Sequence, residues 1–189
     1  MQTPEIITDR LVLSPLAPVD AETLFEYRSL PEVSRFQNWE PTSTNEAVLF
    51  IERLARVEFD TPDTWYQFGI RLRESDPLIG DFGMHFMDDG CQVEIGFTLA
   101  PAYQHRGLGA EAVVGVLDFL FTQLRKHRVF ASVDPRNRPS LRLLRRIGMR
   151  QEAHYHKSLR FKDEWADDVV FAVLASEWVD RPGIGGHAD

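Results

Sequence analysis

Residues 93–133 constrain the fold more than any other stretch. Val93 to Leu99 reads as a strand that stops at Pro101. A loop carrying Gly107 and Gly109 follows. It opens a segment whose apolar residues are Leu108, Ala112, Val113, Val116, Leu117, Leu120, Phe121 and Leu124. Those positions form a wide helical apolar face. Val129 to Val133 is then a second short strand. Strand, long helix and strand in this order predict a parallel crossover, right-handed like nearly all of its kind.

The flanking chain supplies the remaining elements. Ile6 to Leu13 is expected to form a first strand, ended by Ser14-Pro15, and Val19 to Ser29 a short helix before Pro31. Ser43-Thr44-Asn45-Glu46 has the spacing of a capping box. Val48, Leu49, Ile51, Leu54, Ala55 and Val57 give the helix after it an apolar stripe. Trp65 to Arg73 and Leu78 to Met87 are strand-like, with a turn at Ser75-Asp76-Pro77. Asp88-Asp89-Gly90 turns the chain into the fourth strand, Val93 to Leu99. Asn137 to Ile147 reads as a short helix ended by Gly148. Gln151 to Leu159 and Val169 to Ala175 form two final strands, paired around Lys162-Asp163. The order β-α-α-β-β-β-α-β-α-β-β predicts a mixed α/β (α+β) fold: a mostly antiparallel sheet of about seven strands with about four flanking helices. Residues 1–181 are expected to form one domain and 182–189 a disordered tail.

Composition excludes several classes. Cys91 is the only cysteine, so no internal disulfide forms and a reducing cytoplasm is expected. No apolar run approaches the ~18–20 residues of a membrane span, and Met1 to Arg10 lacks an apolar signal segment. A net charge of −8 argues against direct nucleic-acid binding. The charge is uneven, however. Between Gln104 and Arg150 ten Lys/Arg stand against three Asp/Glu. Such a stretch fits either a phosphate-bearing ligand or a solvated helix face.

The loop Gln104-His105-Arg106-Gly107-Leu108-Gly109 joins a strand to the start of the long helix. Glycines there let backbone approach a ligand, and the helix start turns N–H groups outward, which suits a pyrophosphate. The same two glycines would also serve a plain tight turn. The loop resembles the Q/R-x-x-G-x-G/A signature of the GNAT acyltransferase superfamily. Asn137-Arg138-Pro139-Ser140 through Ile147-Gly148-Met149 resembles that superfamily's N-x-x-S…K-x-G-F segment, with Arg146 for the usual Lys and Met149 for the usual Phe. Thr8-Asp9-Arg10-Leu11-Val12-Leu13, Trp39-Glu40-Pro41 and the closing Val169-Val170-Phe171…Glu177-Trp178 are similar to the ribosomal-protein alanine/serine N-acetyltransferase branch. The resemblance spans about residues 6–179.

The resemblance implies an acetyl-CoA-dependent N-acetyltransferase that moves acetyl directly to a primary amine, in that branch the α-amino group of a protein or peptide N-terminus. By the same resemblance the backbone of Phe97, Thr98 and Leu99 pairs with the pantetheine arm. Gln104, His105, Arg106, Gly107, Leu108, Gly109 and Ala110 wrap the pyrophosphate. Asn137 contacts the pantetheine and Ser140 lies near the sulfur. Locally, Asn137 is equally explained as a helix N-cap. Arg138, Arg142, Arg145, Arg146 and Arg150 crowd one short helix, and Arg106 and Arg146 are the candidates for the 3′-phosphate of coenzyme A. Homodimers are common among relatives, so a homodimer is a further expectation.

Acetyl transfer needs a neutral amine and therefore a base. Glu94 is the first candidate, on the strand face opposite Val93 and Ile95; an ordinary exposed strand carboxylate would look the same. Ser140 is the first candidate acid for the departing thiolate and Tyr155 the second. Cys91 has no evident base beside it, so a thiol relay is not indicated. His85, His154 and His156 raise a metal site, but no cysteine or carboxylate joins them at a familiar spacing, and none is expected. Phe36, Trp39 and Trp65 are candidates to line an acceptor pocket. Two other readings stay open: a small-molecule amine acetyltransferase acting on a polyamine, amino acid or aminoglycoside, and a non-catalytic acetyl-CoA sensor.

Overall fold

The computed structural model describes residues 4–75 and 77–179. Eight strands form one sheet in the order β1-β2-β3-β4-β5-β6-β8-β7. They are β1 (Ile6–Ile7), β2 (Leu11–Pro15), β3 (Thr64–Leu72), β4 (Leu78–Phe86), β5 (Gln92–Leu99), β6 (Arg128–Val133), β7 (Arg150–Phe161) and β8 (Glu164–Leu174). The helices are α1 (Ala21–Arg28), α2 (Pro31–Ser34), α3 (Thr44–Leu54), α4 (Leu108–Thr122), α5 (Arg138–Arg146) and α6 (Ala175–Val179). All strand pairs are antiparallel except β5–β6, the crossover spanned by α4. The fold class follows the expectation, and the fourth strand of the sequence reading is β5. No helix among the described residues is long and apolar enough to cross a membrane.

The expected first strand is two strands. Thr8 closes the bend between them: its N–H donates to the Leu11 carbonyl at 2.9 Å, and Ile6 then pairs with Leu13. The short helices α2 and α6 were not expected; Pro31 starts α2 instead of merely ending α1. The Ser75-Asp76-Pro77 turn lies partly, and the 182–189 tail wholly, outside the described residues. The α3 stripe is also corrected: Ala47 and Ile51 are buried while Leu49 is 56% exposed. Ser43 Oγ accepts the Glu46 N–H as a capping box requires, but the Glu46 carboxylate reaches the N–H of Thr42 rather than of Ser43.

The sheet divides core from chemistry by strand alternation. On β4, Phe82, Met84 and Phe86 enter the main core with Val93 and Ile95 of β5 and the apolar face of α4. Each large side chain so buried contributes about 1.5–3 kcal/mol. The intervening residues pair across the two strands on the other face: Asp81 with Thr98, Gly83 with Gly96, His85 with Glu94. A smaller core, built from Leu16, Leu24, Tyr27, Ala47, Ile51 and Leu78, carries α1 and α3. It is fastened to the sheet by a buried ion pair. Asp81, fully buried, accepts from Tyr27 Oη at 2.6 Å, from the Arg28 guanidinium and from the Gln67 amide. Burial and the neighbouring Asp81 carboxylate hold the Tyr27 hydroxyl well above the ordinary phenol range.

Candidate active site

Strands β5 and β6 pair only from Gln92 to Glu94 and from Arg128 to Phe130. Beyond that point they separate, and the β6-facing edge of Ile95–Leu99 is left open. Two cavities occupy the gap and its surroundings. One, of about 470 Å³, lies along Phe97, Thr98 and Leu99, the loop Gln104–Ala110 and the start of α5. The other, of about 460 Å³, lies over the polar face of the sheet. Phe97, Asn137 and Ser140 line both, so the cavities meet there.

Backbone shapes the loop-side cavity. His105 at φ 60° and Gly107 at φ 77° turn the chain tightly into α4. The N-cap is Gly107, which has no side chain to satisfy the first amides of α4. Those N–H groups have no acceptor within the helix either. They and the helix dipole favour an anion at this spot. The cavity's basic side chains are His105, Arg142 and Arg146. Thr98 Oγ1, buried on this wall, has no hydrogen-bond partner among the described residues. Gln104 bends back so that its amide donates to the Leu99 carbonyl at 2.9 Å.

The opening motif Thr8-Asp9-Arg10 holds this loop from outside. Glu111, in the first turn of α4, accepts from Thr8 Oγ1 at 2.6 Å, Arg10 N at 2.7 Å and Arg10 Nε at 2.6 Å. Arg10 also donates to the Arg106 carbonyl at 3.2 Å. The hydrogen bonds from Thr8 and Arg10 keep the Glu111 carboxyl below the usual range despite partial burial. At the end of α5, Gly148 at φ 95° closes the helix: its N–H donates to Arg145 and that of Met149 to Leu144. Asn137 Oδ1 caps the start of α5 by accepting the Ser140 N–H at 3.3 Å, while the side chain still lines both cavities.

Side chains shape the sheet-side cavity. Gly83 and Gly96 face each other across β4 and β5 and hollow its floor. A Cβ at Gly96 would meet nothing within 4 Å, whereas one at Gly83 would strike Gln67 Oε1 at 2.9 Å. Glu94 stands beside this floor. Its Oε2 is 3.9 Å from His85 Nδ1, and His85 Nε2 is 3.6 Å from the exposed Asp63 carboxylate. Trp65 stacks on the His85 ring with centroids 5.0 Å apart and fixes its orientation. Burial raises the Glu94 carboxyl above the ordinary range; His85 opposes this and Asp168 adds to it. Phe36, Trp39 and Trp65 all line the cavity. The tip of the β7–β8 hairpin reaches across to the segment before α3, where Lys162 Nζ meets Glu40 Oε2 at 2.9 Å.

The structure thus gathers Glu94, Phe97, Thr98, Leu99, Gln104, His105, Gly107, Gly109, Ala110, Asn137, Ser140 and Arg146 around the joined cavities. The side chains of three expected residues lie elsewhere. Arg106 packs over the Tyr103 ring at 5.6 Å and lines neither cavity. Arg142 is the second arginine there instead. The Leu108 side chain is 4% exposed and belongs to the core. Tyr155 is 53% exposed on the outer strand β7, and its cross-strand partner Asp168 lines the cavity. The remaining arginines are used locally: Arg145 lies over Phe171, and Arg150 pairs with Glu152 and Glu177.

The histidines are also rearranged. His85 stands beside Glu94, apart from the other two. His154 and His156 are joined by a carboxylate the spacing did not reveal. Asp167 Oδ2 lies 3.0 Å from His154 Nε2 and 3.1 Å from His156 Nδ1. The three ligand atoms fall within 4.8 Å of one another, a spacing that a metal ion can bridge. The Lys157 amide and the two rings already satisfy Asp167 and hold its carboxyl down at about 2. Sequence reasoning missed Asp168, Ser132 and the facing glycines Gly83 and Gly96. Their only signal is the strand register, which pairs residues distant in sequence.

Comparison with known proteins agrees with this geometry. The family model described as "Acetyltransferase (GNAT) domain" matches residues 10–150. An N-acetyltransferase of Bacillus subtilis, YnaD, is 30% identical over 173 residues, 92% of this chain and 98% of its own. The [ribosomal protein uS5]-alanine N-acetyltransferase of Escherichia coli is 26% identical over 180 residues, 92% of each chain. Among solved structures, a GNAT-family acetyltransferase from Bacillus anthracis superposes with a TM-score of 0.82 at 26% identity, covering 92% of this chain and all of its own.

Proposed function

The chain belongs to the GNAT acetyltransferase family and is an N-acetyltransferase using acetyl-CoA; from that premise we propose that its acceptor is the α-amino group of a peptide or protein N-terminus. The observation that carries the reading is the junction of the two cavities at Phe97, Asn137 and Ser140, with the raised carboxyl of Glu94 on the sheet side. The likeness to the uS5-alanine enzyme along 92% of both chains supports a peptide acceptor.

The residues present fit acetyl-CoA. The amides around Gly107 meet a pyrophosphate, and the basic groups of His105, Arg142 and Arg146 meet phosphate charge. The open edge of β5 offers backbone groups to the amides of an extended arm, and the orphaned Thr98 hydroxyl lies along it. The thioester then lies at the junction and the amine enters over Gly96. Glu94 takes one proton from the ammonium, leaving a neutral nitrogen. That nitrogen bonds the acetyl carbon as the C–S bond breaks, and its second proton ends on the departing sulfur, with Ser140 lining the path. His85 and Asp63 lead the Glu94 proton toward solvent. In this reading a backbone N–H of Phe97–Leu99 stabilises the oxyanion.

The test is thiol release from acetyl-CoA with a panel of N-terminal peptides, polyamines, free amino acids and aminoglycosides. Turnover on peptides is expected. Turnover on small amines alone overturns the peptide acceptor, and acetyl-CoA binding without any turnover overturns catalysis.

A further inference from the structure

The sheet-side cavity has an uneven charge inventory. Asp134 is paired with Arg136 at 2.6 Å, and Asp167 is satisfied by His154, His156 and the Lys157 amide. Arg28 is consumed by Asp81, and Arg53 lies over the Phe50 ring at 5.6 Å. Two carboxylates remain without a Lys or Arg partner among the described residues. The one basic group recorded within 4 Å of the Glu94 carboxylate among them is His85. Asp168 accepts a hydrogen bond from Ser132 Oγ at 2.6 Å, a neutral donor, and has no ion pair among the described residues.

These two groups come from β5 and β8, strands on either side of β6, and line the same cavity, where the Asp168 charge acts on Glu94. Two anions sharing a partly buried cavity are unfavourable unless a cation lies between them. Ser132 fixes the Asp168 side chain from β6, so Asp168 does not swing away to relieve the repulsion.

We propose that Glu94 and Asp168 form an ammonium subsite that selects acceptors arriving as protonated alkylamines over amines that are neutral at pH 7. Asp168 holds the cation and Glu94 receives its proton. The inference rests on acetyl transfer to an amine and adds which charge state of amine the site recognises. It also separates the roles of the two carboxylates: Asp168 is a binding group and Glu94 the base.

The test is Asp168→Asn, which keeps the size of the side chain and an oxygen to accept from Ser132. The KM for an alkylammonium acceptor should rise about 10-fold, the loss of one charge-assisted contact. The KM for acetyl-CoA should not change, and the preference over an aromatic amine should collapse. The charged and titratable groups around Glu94 are His85 from β4, Asp63 behind it, Asp167 and Asp168 from β8, Asp134 after β6, and Arg28 and Arg53 elsewhere in the cavity lining. Only Asp168 is altered, and removing a like charge lowers the Glu94 titration. The acid limb of kcat/KM should therefore move to lower pH. The same shift is readable without any acceptor, as the carboxyl-carbon NMR titration of Glu94 in the resting protein. A Glu94 midpoint that does not fall in Asp168→Asn overturns the subsite, whatever the amine panel shows. An unchanged acceptor KM overturns it equally. Failure of the peptide reading appears separately, in the wild-type panel.

Discussion

Around Gly107 the chain builds a cavity from backbone, and around Gly96 it builds one from side chains. The first is made mostly by contiguous chain: β5, a loop with two residues at positive φ, the uncapped start of α4, and α5 nearby, with α2 and Phe36 as the far wall. The second is assembled from α1, α3, α5 and six strands, β3 to β8, with the hairpin tip closing over it. Backbone donors carry no side-chain identity, so a cavity of the first kind suits a ligand common to a whole family. The second depends on which side chain stands at each register position, and there one fold diversifies its acceptors.

The contrast makes graded predictions, and the largest concerns stability. The wall formed by α1 is fastened to the sheet through Asp81, so Asp81→Ala strands the Arg28 charge in the interior. A loss of about 3–5 kcal/mol is expected in denaturant unfolding. A loss below 1 kcal/mol would mean that the smaller core alone holds the acceptor wall. Next is Gly96→Leu. Because a Cβ at Gly96 meets nothing within 4 Å, the fold should survive while the side chain fills the floor. Turnover should fall at least about 100-fold through misplacement of the acceptor, with Tm little changed. Retained turnover would remove the Gly83–Gly96 hollow from the acceptor path.

On the other side of the comparison, Arg10→Ala should loosen the loop without touching the acceptor. The acetyl-CoA KM should rise by a few-fold, corresponding to about 1 kcal/mol of lost side-chain hydrogen bonding to Glu111 and the Arg106 carbonyl. An effect on the acceptor KM instead would break the separation of the two cavities. The smallest change is expected from Lys162→Ala. Its pairing with Glu40 is between half-exposed groups, and stability should shift by less than about 1 kcal/mol. A larger rise in acceptor KM than in instability would show that the hairpin bridge shapes the entrance.

The same contrast explains what the sequence made legible. The loop, α4, α5 and the crossover are local, and their signals (periodicity, glycines, a capping asparagine) lie side by side in the chain. A loop signature names positions and not side-chain directions, and the Arg106 guanidinium turns to Tyr103. The Thr8-Asp9-Arg10 motif was visible, but its partner Glu111 lies 101 residues from Arg10. On the sheet side alternation placed Glu94 on the face opposite Val93 and Ile95, where it stands beside the cavity floor. Asp168, Ser132 and His85 were not legible as its neighbours, because they meet only when β4, β5, β6 and β8 take their register. Tyr155 was set on the correct hairpin, yet its cross-strand partner Asp168 is the one that lines the cavity.

The central claim is that cosubstrate binding and proton removal reside in separate regions, with Glu94 as the base. The most direct test is the pH dependence of kcat/KM for Glu94→Gln beside its acetyl-CoA Kd. The carboxyl of Glu94 is raised by burial, so the wild-type rate should climb through an acid limb lying above the ordinary carboxylate range. In Glu94→Gln that limb should vanish and the rate fall about 100-fold or more, with the acetyl-CoA Kd unchanged. An intact acid limb and an undiminished rate would contradict the account.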